Sequence, residues 1–191
     1  MNATLLQFAF ALTVVSACCG QSADPWPEKP VPSTSKQVAI LEDKRLNESS
    51  GLALGVRDPS IFWTSNDSGG EPCVFAIDRN GKTRAKVRVR DAANFDWEDI
   101  TSGKDDKGTP TLFIGDIGDN LFIRASIQVY QITEPEISAA GKSVAETETA
   151  APQIWRANYP DGKYNAESLL MHPQTRRLYV LTKSDDGRCA L

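Results

Sequence analysis

Histidine and cysteine are scarce in this sequence, which has one histidine and four cysteines in 191 residues. Cys18 and Cys19 directly follow an apolar N-terminal run and belong to the expected export segment, so the remaining residues cannot supply a Cys/His quartet for zinc. The sole histidine, His172, precedes a proline in a predicted turn. No Ser-His-Asp set and no glycine-rich phosphate loop can be assembled either. Structural zinc sites, triad hydrolysis and P-loop chemistry are therefore not expected.

Clustered positive charge is also missing. The net charge is −4, from 21 Lys and Arg against 25 Asp and Glu. The basic residues between Lys82 and Arg90 alternate with apolar or small residues, which predicts the solvated face of a strand. Because no Lys/Arg stripe is formed, we expect no nucleic-acid partner.

The long hydrophobic run, Leu5 to Ala17, is too short to span a bilayer comfortably. It ends in Val15-Ser16-Ala17-Cys18, and no Lys or Arg precedes it. This ending resembles the lipobox of bacterial lipoprotein signal peptides, which implies that Cys18 is acylated and becomes the first residue of the mature protein. Cleavage by an ordinary signal peptidase is the alternative. Residues 1–20 are thus expected to be a signal peptide.

The stretch that follows, residues 21–35, is rich in proline and serine and predicts an extended tether rather than a packed element. We therefore expect an exported protein, either secreted or a periplasmic or cell-surface lipoprotein. Its contact with a membrane would be made only through the N-terminal lipid.

A repeat becomes visible when three segments are aligned on a glutamate. Glu48, Glu98 and Glu167 each begin a predicted strand, and a second apolar strand follows. An aspartate comes 18 or 19 residues after each glutamate, at positions Asp67, Asp116 and Asp185. A third apolar strand follows the aspartate in the first two copies, and a fourth strand is predicted ahead of each glutamate. These fourth strands lie at Val38–Leu41, Lys86–Val89 and Gln153–Arg156.

Four strands in a unit of roughly 40–50 residues are typical of a β-propeller blade. The sequence therefore predicts an all-β fold in which residues 36–191 form a partial β-propeller, with two full four-stranded blades and part of a third. A polar insertion at Glu134–Ala151 accounts for the longer second spacing. A β-sandwich is the rival architecture, but it does not predict phased glutamates. Since closure needs at least about four blades, we expect an N-terminal fragment of a larger ring.

The phased acidic residues suggest a metal site. Innermost strands of a propeller surround its channel, so carboxylates at their starts should converge at one mouth. The glycine-rich turn Gly115–Asn120 adds a further carboxylate. Oxygen-only ligation favours a hard cation, calcium first. The candidate ligands are Glu48, Glu98, Glu167, Asp67, Asp116 and Asp119. The alternative is structural, with carboxylates that cap strands and hold the ring together without a ligand.

The first and second repeats also resemble known families. Glu48–Leu52 followed by Ile61–Asp67 is similar to the inner-strand pattern of calcium-dependent gluconolactonase-like and bacterial phytase-like propellers. Asn94–Ile100 and Gly115–Asn120 look like a group of exported bacterial propellers of uncharacterised activity. The gluconolactonase resemblance implies a divalent cation ligated by an inner-strand glutamate, best matched here by Glu48 or Glu167.

Two functions follow from these expectations. The first is an exported binding or structural module with an acidic, calcium-binding channel mouth and an unidentified ligand there. The alternative is a calcium-dependent hydrolase of a phosphate ester or lactone, in which the cation activates water and a carboxylate acts as base. The module is favoured because no nucleophile–base pair is visible, and the question of enzymatic activity stays open.

Overall fold

The computed structural model describes residues 37–137 and 143–183. The expected signal peptide with Cys18, the tether, and the repeat aspartate Asp185 lie outside these residues. Within them the fold is all-β, as the sequence predicted, with eleven strands and no helix. In this part of the chain there is accordingly no helix long and apolar enough to cross a membrane.

The first sheet begins with four antiparallel strands in sequence order. They are β1 (Ser49–Leu54), β2 (Ile61–Asn66), β3 (Cys73–Asp78) and β4 (Thr83–Arg88). β2 and β3 are mostly buried, whereas β4 alternates buried and partly exposed residues, as its alternating basic side chains predicted. Gly81 closes the β3–β4 turn with a positive φ of 78°, a conformation that glycine adopts without steric cost.

The second sheet repeats this arrangement. Its first three strands are β5 (Trp97–Lys104), β6 (Pro110–Asp116) and β7 (Ile127–Thr133). The chain then leaves the sheet, forms β8 (Ala145–Glu148) elsewhere, and returns as β9 (Gln153–Ala157), which pairs antiparallel with β7. The described part of the third sheet is a hairpin of β10 (Asn165–Met171) and β11 (Leu178–Lys183).

β8 lies within the segment predicted as a polar insertion. It pairs in parallel with the outer edge of β4, so the first sheet has five strands. All its residues are exposed, and its glutamates face basic side chains. Arg45 lies 2.7 Å from Glu146, and Arg90 lies 2.7 Å from Glu148. Backbone pairing and charge, rather than apolar burial, hold this strand to the sheet.

The strand predicted at Val38–Leu41 is not formed, and that prediction was wrong. The segment passes over the β3–β4 turn, where a Cβ added to Gly81 would overlap the carbonyl oxygen of Ile40. Leu41 packs on a small cluster that includes Phe75, while the Val38 and Ile40 side chains are exposed. The segment therefore crosses a turn with its backbone and does not extend a sheet.

The three sheets stand side by side through their first strands, since β1 contacts β5 and β5 contacts β10. Side chains of one strand bond to the backbone of the next. The Ser50 hydroxyl donates to the Glu98 carbonyl at 2.7 Å, and the Ser102 hydroxyl donates to the Leu54 carbonyl at 2.6 Å. The Leu169 N–H donates to Asp99 Oδ2 at 2.8 Å.

The apolar core lies between neighbouring sheets. One cluster joins the first and second sheets and includes Trp63, Val87, Trp97 and Leu112. A second joins the second and third sheets around Phe113, Val129, Leu169 and Val180. Burial of each large aliphatic side chain stabilises the fold by roughly 1.5–3 kcal/mol. This packing fixes the positions of the strand ends at which the acidic residues lie.

Candidate metal centre

Three carboxylates meet at the end of the sheets where β1, β5 and β10 begin. Asp67, Asp96 and Glu98 each place one oxygen within 4.8 Å of the other two, and we call this group the carboxylate cluster. Asp67 follows β2, Asp96 precedes β5, and Glu98 is the second residue of β5. The sequence predicted Asp67 and Glu98 as ligands and missed Asp96.

Asn94 ties the two parts of the cluster together. Its side-chain amide donates to the carbonyls of Asn66 and Asp67, at 3.2 and 2.7 Å. Its side-chain oxygen accepts from the N–H of Trp97 at 3.2 Å. One asparagine therefore fixes the turn after β2 against the start of β5.

Glu98 occupies a β-bulge. The register of β5 against β6 shifts between Trp97 and Asp99, which makes Glu98 the extra residue. β10 has the same irregularity between Ala166 and Ser168, where Glu167 is the extra residue. Bulges re-aim side chains, and they often occur beside functional sites. Glu98 and Glu167 are thus equivalent positions of the repeat.

Glu48 is not their structural equivalent. It precedes β1, whose register shift comes later, between Ser50 and Ala53. Its carbonyl accepts from the Asp67 N–H at 2.9 Å, but the residue is exposed and is not part of the carboxylate cluster. The β1 irregularity instead contains Gly51, at φ 67°, where a Cβ would lie 2.6 Å from the Ile100 nitrogen. The close approach of β1 to β5 therefore requires glycine at this point.

Gly118 borders the carboxylate cluster. A Cβ at this position would overlap Asp96 Oδ2 and lie 2.5 Å from Glu98 Oε1. The Gly118 N–H donates to the Asp96 carbonyl at 3.2 Å, which holds the turn against the cluster. The absence of a side chain here leaves space beside two carboxylate oxygens.

Asp116 and Asp119, also predicted as ligands, lie outside the cluster, Asp116 at the end of β6 and Asp119 in the β6–β7 connection. The Arg124 guanidinium donates to Asp116 Oδ1 at 2.7 Å, and the Asp96 N–H donates to the same oxygen at 3.2 Å. Both Asp119 oxygens accept from backbone, Oδ1 from Ile123 and Oδ2 from Arg124, each at 2.9 Å. These two aspartates order the connection that carries Gly118.

Glu167 lies next to the cluster and has partners of its own. Its Oε1 is 2.7 Å from Lys183 Nζ and accepts from the Asn165 amide at 3.2 Å. The Asn165 side-chain oxygen accepts from the Asp119 N–H at 2.8 Å. Asn165 thus links the β6–β7 connection to β10, much as Asn94 links β2 to β5.

The electrostatics of the cluster are unfavourable without a cation. Burial, followed by the charges of Asp67, Glu167 and Asp96, raises the pKa of Glu98 to about 8. Burial and the Asp67 charge likewise raise the pKa of Asp96. The charge of Arg124 opposes this rise at Asp96, although its guanidinium forms an ion pair with Asp116. At neutral pH Glu98 therefore retains its proton unless a cation neutralises the group.

A buried carboxylate elsewhere has a structural role that the sequence did not indicate. Glu134, placed by prediction at the start of the polar insertion, is buried and accepts from the indole N–H of Trp63 at 3.0 Å. It also accepts from the backbone N–H groups of Val56 and Arg57, at 3.0 and 2.9 Å. These three N–H donors satisfy the hydrogen-bonding capacity of the buried Glu134 carboxylate, which lies away from the carboxylate cluster.

Comparisons with protein-family models, with curated proteins and with solved structures each find no match. The class of protein defined here is thus an all-β chain whose sheets pack side by side and bring three carboxylates together at one end. Carboxylate oxygens without nitrogen or sulfur ligands suit a hard cation.

Proposed function

We propose that the three sheets are successive blades of a β-propeller. Two observations support this. The first strand of each sheet contacts the first strand of the next, as the innermost strands around a channel would. The second sheet, and the first apart from β8, each contain four antiparallel strands.

We further propose that the carboxylate cluster binds calcium at the channel mouth of an exported binding or structural module. The observation that carries this proposal is the convergence of Asp67, Asp96 and Glu98 within 4.8 Å. Calcium takes six to eight oxygen ligands at about 2.3–2.6 Å, so carbonyls, waters or a bound ligand would complete its shell. Glu167 is a further carboxylate beside the cluster, and its charge raises the pKa of both Glu98 and Asp96. We propose it as an additional ligand. The resemblance to calcium-dependent propellers is consistent with this assignment.

The test is a thermal melt of the wild type and matched variants in calcium and in EDTA. Calcium should raise the melting temperature of the wild type, because a ligand that binds only the folded state stabilises it. Glu98→Gln and Asp67→Asn should lose most of this increase, because each removes a charged oxygen ligand of the cluster.

Glu48→Gln is the matched control, since Glu48 is exposed and outside the cluster. It should respond to calcium as the wild type does. If Glu98→Gln responds to calcium as strongly as the wild type does, the cation binds at a site other than the carboxylate cluster. No response in the wild type would reject the metal site.

The hydrolase is the second candidate, and one observation favours it. Glu98 is buried beside Asp67 and Asp96, so a cation bound by the cluster would lower its pKa and leave a carboxylate that can accept a proton from water. We would assay phosphate esters and lactones with calcium, and compare the wild type with Glu98→Gln. Turnover that depends on both calcium and Glu98 would support an enzyme. If calcium stabilises the protein but no substrate is turned over, the hydrolase is rejected and the binding or structural module is retained.

A further inference from the structure

The outer edge of the first sheet is covered by a strand that comes from the β7–β9 connection. β8 pairs in parallel with β4, and in this register Glu146 lies opposite Lys86. Glu148 lies opposite Arg88, whose carbonyl accepts from the Thr149 N–H at 2.9 Å. An uncovered strand edge presents unpaired backbone N–H and C=O groups that another chain can bind. β8 therefore occupies a surface that suits an extended peptide.

β8 is held weakly to this edge. Its four residues are all exposed, so it buries no apolar side chain, and parallel pairing is slightly less stable than antiparallel pairing. Its glutamates form exposed ion pairs, Glu146 with Arg45 at 2.7 Å and Glu148 with Arg90 at 2.7 Å. Because exposed ion pairs contribute little and are screened by salt, β8 can be displaced at a low cost in free energy.

Displacement of β8 would leave the four-stranded sheets intact. β7 and β9 pair directly, with Gln131 opposite Gln153, so the connection between them starts and ends at neighbouring positions. Its first residues are fixed separately, since the buried Glu134 carboxylate accepts from the Trp63 indole and the Val56 N–H. β8 can therefore exchange with another strand without the unfolding of either sheet.

Arg88 and Arg90 would keep uncompensated charge after β8 leaves. Among the described residues, both form their ion pair with Glu148. Glu71 is also close enough for the charge of Arg88 to lower its pKa, but Glu71 is paired with Lys86. The uncovered edge is therefore basic, and an incoming strand gains from a carboxylate at the position of Glu148.

The rest of β8 indicates what else the incoming strand should contain. Arg45 adds a smaller attraction, because it is shared between Glu146 and Asp43, at 2.7 and 2.8 Å. Ala145 and Thr147, the residues beside the two glutamates, are small and lie in register with β4. The pattern that fits this edge is thus a pair of carboxylates at alternate positions, separated by a small residue.

We propose that the β4 edge binds an extended acidic segment of another protein by strand addition, and that β8 is an internal occupant which such a segment displaces. The segment would carry carboxylates at alternate positions with small residues between them, as β8 does. The proposal uses no residue of the carboxylate cluster, so it does not depend on the proposed calcium site.

The test uses the full chain and a fluorescently labelled peptide with the sequence of residues 143–152, which contains β8. In the variant Glu146→Lys/Glu148→Lys, the lysines repel the basic edge, so β8 should detach and the Thr149 N–H should lose its protection from hydrogen exchange. By fluorescence anisotropy, the peptide should bind this variant at least tenfold more tightly than the wild type, in which the tethered β8 competes. Added salt should weaken the binding.

A charge-swapped variant tests whether the peptide binds at this edge. Glu146→Lys/Glu148→Lys combined with Arg88→Glu/Arg90→Glu restores opposite charges between β8 and β4. Its Thr149 N–H should therefore regain protection, and the acidic peptide should no longer bind.

Two further controls isolate the effect of charge. Glu136→Lys reverses an exposed charge in the same connection, but Glu136 pairs with Arg57 and not with β4, so this variant should behave as the wild type does. A second peptide that carries Glu146→Lys and Glu148→Lys should not bind the variant from which β8 is released.

Protection of the Thr149 N–H that persists in Glu146→Lys/Glu148→Lys would overturn the proposal, because charge would then not hold β8 in place. Failure of this variant to bind the acidic peptide, or equal binding of the two peptides, would also overturn it. A wild-type chain that sediments as a dimer and loses the Thr149 protection on dilution would make a second copy the occupant, and would overturn the assignment to another protein.

Discussion

Glu98 differs from the other candidate glutamates in its surroundings. It is 7% exposed and faces three other carboxylates, whereas Glu48 is exposed and Glu167 is paired with Lys183. The repeat placed all three glutamates at the start of a predicted inner strand, and the resemblance to gluconolactonase-like propellers favoured Glu48 or Glu167. The bulge that selects Glu98 and Glu167 depends on strand pairing, which the spacing of acidic residues does not encode.

The raised pKa of Glu98 predicts a pH dependence of stability. In the unfolded chain this group ionises near its ordinary value of 4.5, but the folded state keeps the proton up to about 8. Between these values the folded state binds more protons, so without calcium the free energy of unfolding should fall as pH rises. Glu98→Gln should flatten this decline and raise stability at pH 8 by on the order of a few kcal/mol.

Urea denaturation in EDTA at several pH values between 4.5 and 8 would measure this effect. Asp96 contributes in the same direction, so some slope should persist in the variant. If the free energy of unfolding of the wild type and of Glu98→Gln depends on pH in the same way, the neighbouring carboxylates do not raise the pKa of Glu98 as described.

The sequence predicted most of the strands, but it predicted only part of the carboxylate cluster. Burial in a sheet imposes an alternating or continuous pattern of apolar residues. That pattern predicted the positions of β2, β3, β6, β7 and β11. β8 was missed because its four residues are all exposed and its pairing depends on β4 and on distant arginines. Asp96 was missed because it precedes a strand, and Asn94 positions it through the neighbouring sheet.

The β6–β7 connection supplies a prediction of its own. Gly118→Ala should abolish the calcium response, because the added Cβ would occupy the space beside Asp96 Oδ2 and Glu98 Oε1. Crowding of this kind typically costs about 1–3 kcal/mol, so a lower melting temperature in EDTA is also expected. The measurement is the melting temperature with and without calcium.

Gly70→Ala is the matched control for this change. Gly70 lies in the turn after β2, where the nearest atom to an added Cβ is 3.8 Å away, an ordinary contact. Its calcium response should equal that of the wild type. A Gly118→Ala variant that still responds fully to calcium would place the cation away from this turn.

The whole domain is joined by contacts between sheets, since no described strand ladder links one sheet to the next. Asp99 is a principal link, because its carboxylate accepts from the Ile100 and Leu169 N–H groups at 2.8 Å each and thereby joins the second sheet to the third. Apolar clusters between the sheets, and hydrogen bonds such as that from Ser50 to the Glu98 carbonyl, supply the remainder. Composition and periodicity predicted the all-β class, but this side-by-side order depends on long-range packing.

Asp99→Ala should lower the free energy of unfolding by about 1–3 kcal/mol, because it leaves the Leu169 N–H without its acceptor. Urea denaturation measures the change. Ser102→Ala serves as the control, since it removes a more exposed side-chain bond to the Leu54 carbonyl and should cost less. Equal losses in the two variants would contradict the assigned role of Asp99.

The central claim is that Asp67, Asp96 and Glu98 hold calcium, and anomalous X-ray diffraction from crystals of the full chain grown in calcium chloride tests it most directly. We predict an anomalous difference peak about 2.3–2.6 Å from an oxygen of each of the three carboxylates. A map from calcium-containing crystals with no peak at the cluster, or with peaks only at other acidic residues, would contradict the account.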